Sequence, residues 1–453
     1  MRFFSKIADI WRHEELRNKI GITLGLILVY RIGSFIALPG VDVDGLKKAV
    51  SSSDGTGFGD LLDLFTGGAF NSASIFALGI MPYISASIII QLMSIAVPAV
   101  QKMQKEGESG RKKITQYTRF LTIAICLVQA PGYLLTQVVS RGVVDFTVIN
   151  ESFWWFSSTV IIVCSTLVIM WLGERITEKG VGNGISLLIM IGIIARFPGD
   201  IIAEYNSSVP FFFIIEIAAL LIVIGVCVAL VQAIRKVPVQ MAKLQQGNGM
   251  IPTGGGARSF IPLKVNSSGV MPIIFAQAIM MVPLFFATAE NAEQAQSAFY
   301  SFMRTFTDFN GLGYNILFFL MVFAFTFFYT AITVNPNQMA DDLKRQNSFV
   351  PGIKPGRPTA EFLDKVLSNI TLPGALFLGL VAILPAIALN VGLVHDQGFA
   401  IFFGGTSLLI MVGVILDTLQ QIESYLLSRH YDGLMKSGKM RSRSQSPVGG
   451  LGG

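Results

Sequence analysis

Apolar residues fall in ten runs, near residues 20–38, 75–97, 115–138, 153–173, 184–203, 210–234, 268–288, 314–335, 366–389 and 400–422, each closed off by polar, Gly- or Pro-bearing segments. A helix rises 1.5 Å per residue, so roughly 20 residues cross the ~30 Å hydrocarbon core of a bilayer. The pattern predicts ten membrane-crossing helices with both chain ends on one face. Between the first two runs, "GFGDLLDLFTGGAFNS" (57–72) carries Leu61, Leu62, Leu64 and Phe65 between flanking glycines. That core suits a helix of about ten residues, too short to cross and free to swing. Such an element is tolerated at membrane depth only where protein or a water-filled cavity surrounds it.

Two of the polar segments, 235–266 and 336–365, are longer than a turn between helices requires, and each carries five Lys or Arg. They are expected to dock a soluble partner, with solvated linkers as the alternative. Ahead of the first run, Phe3, Ile7, Ile10 and Trp11 recur at helical spacing, so residues 1–19 are expected to form a surface-lying amphipathic helix. No cleavable signal peptide is expected, because no small-residue cleavage pattern precedes the first run. Residues 431–453 are rich in Ser and Gly and predict a disordered tail.

The second run is unlike a plain anchor. "SIFALGIMPYISASIIIQL" (74–92) holds Gly79, Pro82, serines and Gln91, groups that suit a helix which bends, packs closely and faces an aqueous path. Part of it echoes later: "GIMPYI" at 79–84 returns as "GVMPII" at 269–274. The two copies sit in the second run of the first five and of the last five, which cross in opposite directions. Matching Gly/Pro-interrupted spans in oppositely oriented halves are the mark of an inverted repeat around a transport path, with chance similarity of apolar segments as the alternative.

Composition closes off several classes. With 52% hydrophobic and 14% charged residues, no soluble shell could cover the apolar surface. Lys and Arg divide 27 against five between the two faces, with Arg31 and Arg119 in or beside runs, which places both termini in the cytoplasm. The net charge of +6 thus describes topology and lends no support to sequence-specific nucleic-acid binding. Cys126, Cys164 and Cys227 lie inside runs as small packing residues, and His13, His395 and His430 show no ligand spacing, so no metal or cofactor is expected. Ionisable residues within runs are few, Arg31, Glu216 and Asp417 among them, and no proton relay is visible. "TGGGARS" (253–259) lacks the Gly-Lys-Ser/Thr ending of a phosphate-binding loop. Any energy source lies outside the chain, and no enzyme activity is expected.

Six stretches carry a family resemblance, in order along about residues 20–430: "SIFALGIMPYISASIIIQLM" (74–93), "KEGESGRKKITQYTR" (105–119), "WLGERITEKGVGNGISLLI" (171–189), "IPLKVNSSGVMP" (261–272), "FVPGIKPG" (349–356) and "FGGTSLLI" (403–410). On these the chain resembles the SecY family, the channel subunits of the bacterial Sec protein translocase. The resemblance implies an all-α membrane protein of ten transmembrane helices in two inverted five-helix halves, 20–203 and 204–430, around a central hourglass pore. It implies an apolar ring at the waist, Ile80, Ile84, Ile189, Ile193, Ile274 and Ile410, and a re-entrant plug helix at about 60–71 with Leu61, Leu62, Leu64 and Phe65. It further implies a lateral gate, to which Ser87, Gln91 and Gln277 are assigned, and cytoplasmic docking through Lys243, Arg258, Lys344, Arg345, Lys354 and Arg357. The expected partners are SecE and SecG subunits, the SecA ATPase, the ribosome, polypeptides bearing signal sequences and membrane lipids.

Two departures bear on docking. Lys354 stands where the family usually has arginine, and the two side chains are not equivalent at a bidentate contact. At the tip of the earlier loop "GNGMIPTGGG" replaces the usual basic pair, leaving Lys243 and Arg258 nearest. Two other functions compete: a secondary transporter, which needs a polar site at the midplane, and a poreless scaffold, which needs neither ring nor plug.

Overall fold

The computed structural model describes residues 13–46, 63, 65–144, 146, 150–241, 258–287 and 311–436. The expected N-terminal amphipathic helix, apart from its last residues, lies outside them, as do Leu61, Leu62, Leu64 and Lys243. Helices coincide with all ten apolar runs. They are α1 (Glu14–Ser34), α2 (Met81–Ala96), then after the short α3 (Pro98–Lys105), α4 (Glu108–Tyr133), α5 (Glu151–Lys179), α6 (Gly184–Ser207) and α7 (Pro210–Gln232). The second set comprises α8 (Met271–Ala287), α9 (Leu312–Thr333), α10 (Pro336–Arg345), α11 (Arg357–Val391), α12 (Gln397–Phe402) and α13 (Gly405–Lys436).

Among the described residues seven helices are long and apolar enough to cross a membrane, and an eighth if the bent pair α2 and α3 counts as one span. The two remaining runs fall short for visible reasons. Every 18-residue window of α1 includes Arg17, Lys19 and Arg31 or more charges, and α8 has 17 residues up to where the description stops.

The interruption of the second run differs from expectation. Residues 75–80 are turns rather than helix; Gly79 takes φ +54°, and Pro82 stands in the first turn of α2, where its missing N–H removes no helical bond. The bend comes later, at Val97, whose extended backbone precedes Pro98 and turns α2 by 103° into α3. The echo segment repeats the first device: Gly269 has φ +64° and α8 begins at Met271 with Pro272 next. Both copies therefore start a helix at the same residue of the motif.

One small sheet accompanies the expected helical membrane fold. Strands β1 (Ile234–Met241), β2 (Arg258–Lys264) and β3 (Ser348–Phe349) form an antiparallel sheet in the order β2-β1-β3. Val237 and Val239 are buried while Lys236 and Pro238 are exposed, the alternation of a half-buried strand. Pro238 pairs with Phe260, and on the other edge of β1 the partner strand reaches only Gln240 and Met241, so the missing N–H breaks little. The two large loops are one folded unit, since Val237, Val239 and Leu263 share a buried cluster with Leu343, Val350, Leu363 and Leu367. The helix α13 runs to Lys436, past the start of the expected disordered tail.

Three further clusters form the core. One draws only on the first half, from Leu38 to Ile162. Another is built from the second, from Leu220 to Val412, with Phe197 and Ile201 of α6 against its edge. The third joins the halves, uniting Tyr30, Phe65, Ile80, Ile189, Phe402 and Ile410.

Candidate functional site

The cluster between the halves is where the expected site falls. Ile80 caps α2 and Ile84 lies one turn on; Ile189 and Ile193 are one turn apart on α6; Ile274 is in the first turn of α8 and Ile410 in the second turn of α13. Ile80, Ile189, Ile193 and Ile410 are buried, and the partly buried Ile84 and Ile274 pack against them. All six thus meet although 330 residues separate the first from the last. Phe65, Ile84, Ile189, Ile274, Gln277 and Ile410, with Met81 and Ser85, surround a cavity of ≈ 10 Å³. That is about the space of a single water, and the walls offer it few polar partners.

Phe65 enters this cluster from the segment that follows the first helix. Asp63, Phe65 and Thr66 are helical and residues 67–80 continue as turns, apart from Ser74, which bridges to Ala37. The segment seats against α6 with no side chain between: a Cβ on Gly192 would lie 2.4 Å from the Phe65 carbonyl oxygen, and one on Gly67 2.9 Å from Gly192 Cα. Gly67, at φ +66°, also receives the Arg31 guanidinium of α1, whose Nη1 donates to its carbonyl at 3.2 Å. Arg196 of α6 donates to Asp63 Oδ2 at 2.6 Å, while the Asn71 amide donates to Asp63 Oδ1 at 2.8 Å. Farther along, Tyr133 of α4 donates to the Phe70 carbonyl at 2.7 Å.

The residues assigned to a lateral gate divide. Gln91 and Ser87 are one turn apart on α2, joined by a 3.4 Å hydrogen bond within their own helix. Gln277 of α8 is buried and borders the cavity of the isoleucine cluster. The helix pairs stand as two units, α2 packed along α4 and α8 along α9. On α4, Arg119 pairs with Glu174 of α5 at 2.5 Å, a link inside the first half.

The basic residues assigned to docking cluster around the small sheet. Lys344 and Arg345 end α10, Lys354 lies in the turn after β3, and Arg357 opens α11; all four are exposed. Arg357 pairs with Glu361 at 3.2 Å, and the Lys354 carbonyl accepts from Thr359. Arg258 is the first residue of β2.

One polar group brings together residues that show no spacing in sequence. Glu204, Glu216 and His395 place possible ligand atoms within 4.8 Å of one another. Glu204 already accepts from the Ser208 hydroxyl and from the His395 and Asp396 amides, so three of its roughly four acceptor sites are filled. The group is a staple between α6 and the loop before α12.

Comparison with known proteins settles the family. The SecY model matches residues 74–419. Protein translocase subunit SecY of Streptomyces lividans is 40% identical over 443 residues, 95% of this chain and 99% of that protein. The chain belongs to the SecY family. The Mycobacterium tuberculosis SecY subunit is 40% identical over 440 residues, 94% of this chain and 98% of that one. Among solved structures, one described as "The structure of a protein conducting channel" matches with TM-score 0.61 at 15% identity, over 93% of this chain and 95% of the other. Sec61 in a canine ribosome-channel complex from the endoplasmic reticulum matches with TM-score 0.56 at 16% identity, over the same shares. As a SecY-family member the chain is a multi-pass protein of the cytoplasmic membrane.

Sequence reasoning missed several residues of this SecY-family site. Nothing local in the sequence marks Arg196 and Asp63 as partners, because their pairing spans 133 positions. The sheet was overlooked although "KVPVQ" alternates polar and apolar residues over the strand; the proline and the basic neighbours hid the period.

Proposed function

We propose that this chain is the channel subunit of a protein translocase, conducting unfolded secretory polypeptides across the cytoplasmic membrane and releasing transmembrane segments sideways into lipid. The observation that carries the reading is the packing of six isoleucines and Phe65 into one cluster between the two halves, where Ile84, Ile189, Ile274, Ile410 and Phe65 border a space of about one water. A dry apolar constriction excludes ions, and side chains without fixed polar partners close around any passing sequence. Branched isoleucines, stiff at χ1, make a narrow gasket that spreads when a chain enters. In the resting state Phe65 and the turns after it, part of the plug expected at 60–71, fill the path beside the gasket; on opening they move aside.

The sideways exit runs between α2 and α4 on one side and α8 and α9 on the other, with Ser87, Gln91 and Gln277 as the polar residues a bound signal sequence disturbs. Both termini and the three-stranded sheet face the cytoplasm, where Lys344, Arg345, Lys354 and Arg357, with Lys243 and Arg258, dock the SecA ATPase or a translating ribosome. SecE and SecG complete the complex, and the driving energy comes from the docked partner, the chain itself catalysing nothing.

Cysteines placed at Ile84 and Ile274 test this reading. A secretory precursor stalled in transit should crosslink to both positions. Contact with neither, or with lipid-facing positions such as Leu221 alone, rejects the channel in favour of a scaffold.

A further inference from the structure

Arg196 sits between two carboxylates on different elements. Its Nη1 donates to Asp63 Oδ2 at 2.6 Å and its Nη2 lies 3.9 Å from Asp200 Oδ1, one turn along α6. The side chains of Asp63, Asp200 and Arg196 are 5%, 13% and 25% exposed, so water competes little for these charges. Asp200 Oδ2 is buried with no hydrogen-bond partner among the described residues, which leaves it open to a guanidinium. Asp63 belongs to the segment beside the gasket, whereas Asp200 and Arg196 share a helix and stay together whatever that segment does.

We propose that Arg196 is a switched counter-ion: it latches the segment at 63–67 in the closed waist through Asp63 and passes to Asp200 when that segment leaves. The inference rests on the reading of this segment as a movable stopper. A planar guanidinium has five N–H donors and serves two carboxylates by a small rotation. An arginine stranded without a partner in a water-poor site would make opening prohibitive, and a latch with no second carboxylate would be nearly irreversible. Asp200 removes that obstacle by keeping Arg196 paired in both states. The 2.6 against 3.9 Å distances set the resting preference for Asp63. Arg31, on the Gly67 carbonyl, adds a neutral hold that breaks without stranding a carboxylate.

The two acidic residues are therefore expected to act with opposite sign. The complete channel complex, reconstituted in vesicles holding a chloride-sensitive dye, reports resting leak; translocation of a precursor with an intact or a weakened signal sequence reports the threshold for opening. Asp63→Asn should raise the leak on the order of tenfold and admit the weakened signal, a size between those of an exposed and a fully buried ion pair. Asp200→Asn should leave the leak at or below that of the unaltered channel and reject the weakened signal more strongly. Asp63→Glu, which keeps the charge, should hold the leak near its original level. Equal effects of Asp63→Asn and Asp200→Asn would overturn the handover, and a leak from Asp63→Glu as large as from Asp63→Asn would overturn the ionic latch. Deletion of residues 60–71 separates this inference from the reading beneath it. A deletion that raises leak while Asp63→Asn does not rejects the latch alone, whereas a deletion without effect rejects the stopper itself.

Discussion

Gly192 and Phe65 meet backbone to backbone: a Cβ on the glycine would stand 2.4 Å from the Phe65 carbonyl oxygen, a distance no real Cβ tolerates. The neighbour is main chain, so it cannot rotate away as a side chain would. Gly192→Ala should therefore unseat the segment carrying Phe65 and raise resting ion leak in vesicles. Gly199 on the same helix has nothing within 4 Å of its would-be Cβ, and Gly199→Ala should leave the leak unchanged while stabilising α6 by about 1 kcal/mol through helix propensity. Equal leak from the two variants would argue against close seating.

Ile410 is 1% exposed at the centre of the isoleucine cluster. Ile410→Asn places an amide among aliphatic walls, and an unsatisfied buried polar group costs about 1–3 kcal/mol. The closed state bears that cost, while an open, wetted waist does not. The closed-to-open ratio should fall by roughly five- to more than hundredfold, seen as higher conductance and acceptance of poor signal sequences. Unchanged leak and unchanged signal selectivity would remove the gasket from the account.

Local pattern carried much of this architecture and distance carried the remainder. A helix on each of the ten apolar runs was legible because each run announces itself within about 20 residues, and the Gly-x-Met-Pro echo fell on two helix starts that take the same form. Pro82 misled in a definite way. A proline in an apolar run suggests a mid-span bend, yet here it opens the helix and the bend falls at Val97. The ring residues came from family resemblance, since a lone isoleucine in a membrane helix says nothing of where it points. The contacts of Arg196 with Asp63 and of Glu204 with the His395 amide span 133 and 191 positions, and no local rule reaches that far.

Tyr133 anchors the turns that follow Thr66. It is 4% exposed, its hydroxyl donates to the Phe70 carbonyl at 2.7 Å, and its ring meets Phe70 edge-on at 4.9 Å. Tyr133→Phe keeps the ring contact and strands a buried carbonyl, at about 1–3 kcal/mol. Residues 69–74 should exchange their amide hydrogens faster in this variant while α5 and α6 keep their protection. Uniform loss of protection across the chain would mean that the hydroxyl supports the whole fold.

Val239 tests whether the sheet serves the cytoplasmic partner. It is 4% exposed on β1, in the cluster that binds both large loops into one unit with Leu263, Leu343 and Val350. Val239→Asp buries a carboxylate there without a partner, a change costly enough to separate β1 from α10 and α11. The isoleucine waist belongs to a different cluster, so resting leak should stay at its original level. ATP-driven transport should fall steeply because Lys344, Arg345, Lys354 and Arg357 lose their common platform. Lys354→Ala, which leaves the fold alone, should weaken partner binding by less than the aspartate variant does. If the aspartate variant transports normally, or leaks as Ile410→Asn does, the sheet is a support of the pore rather than a docking surface.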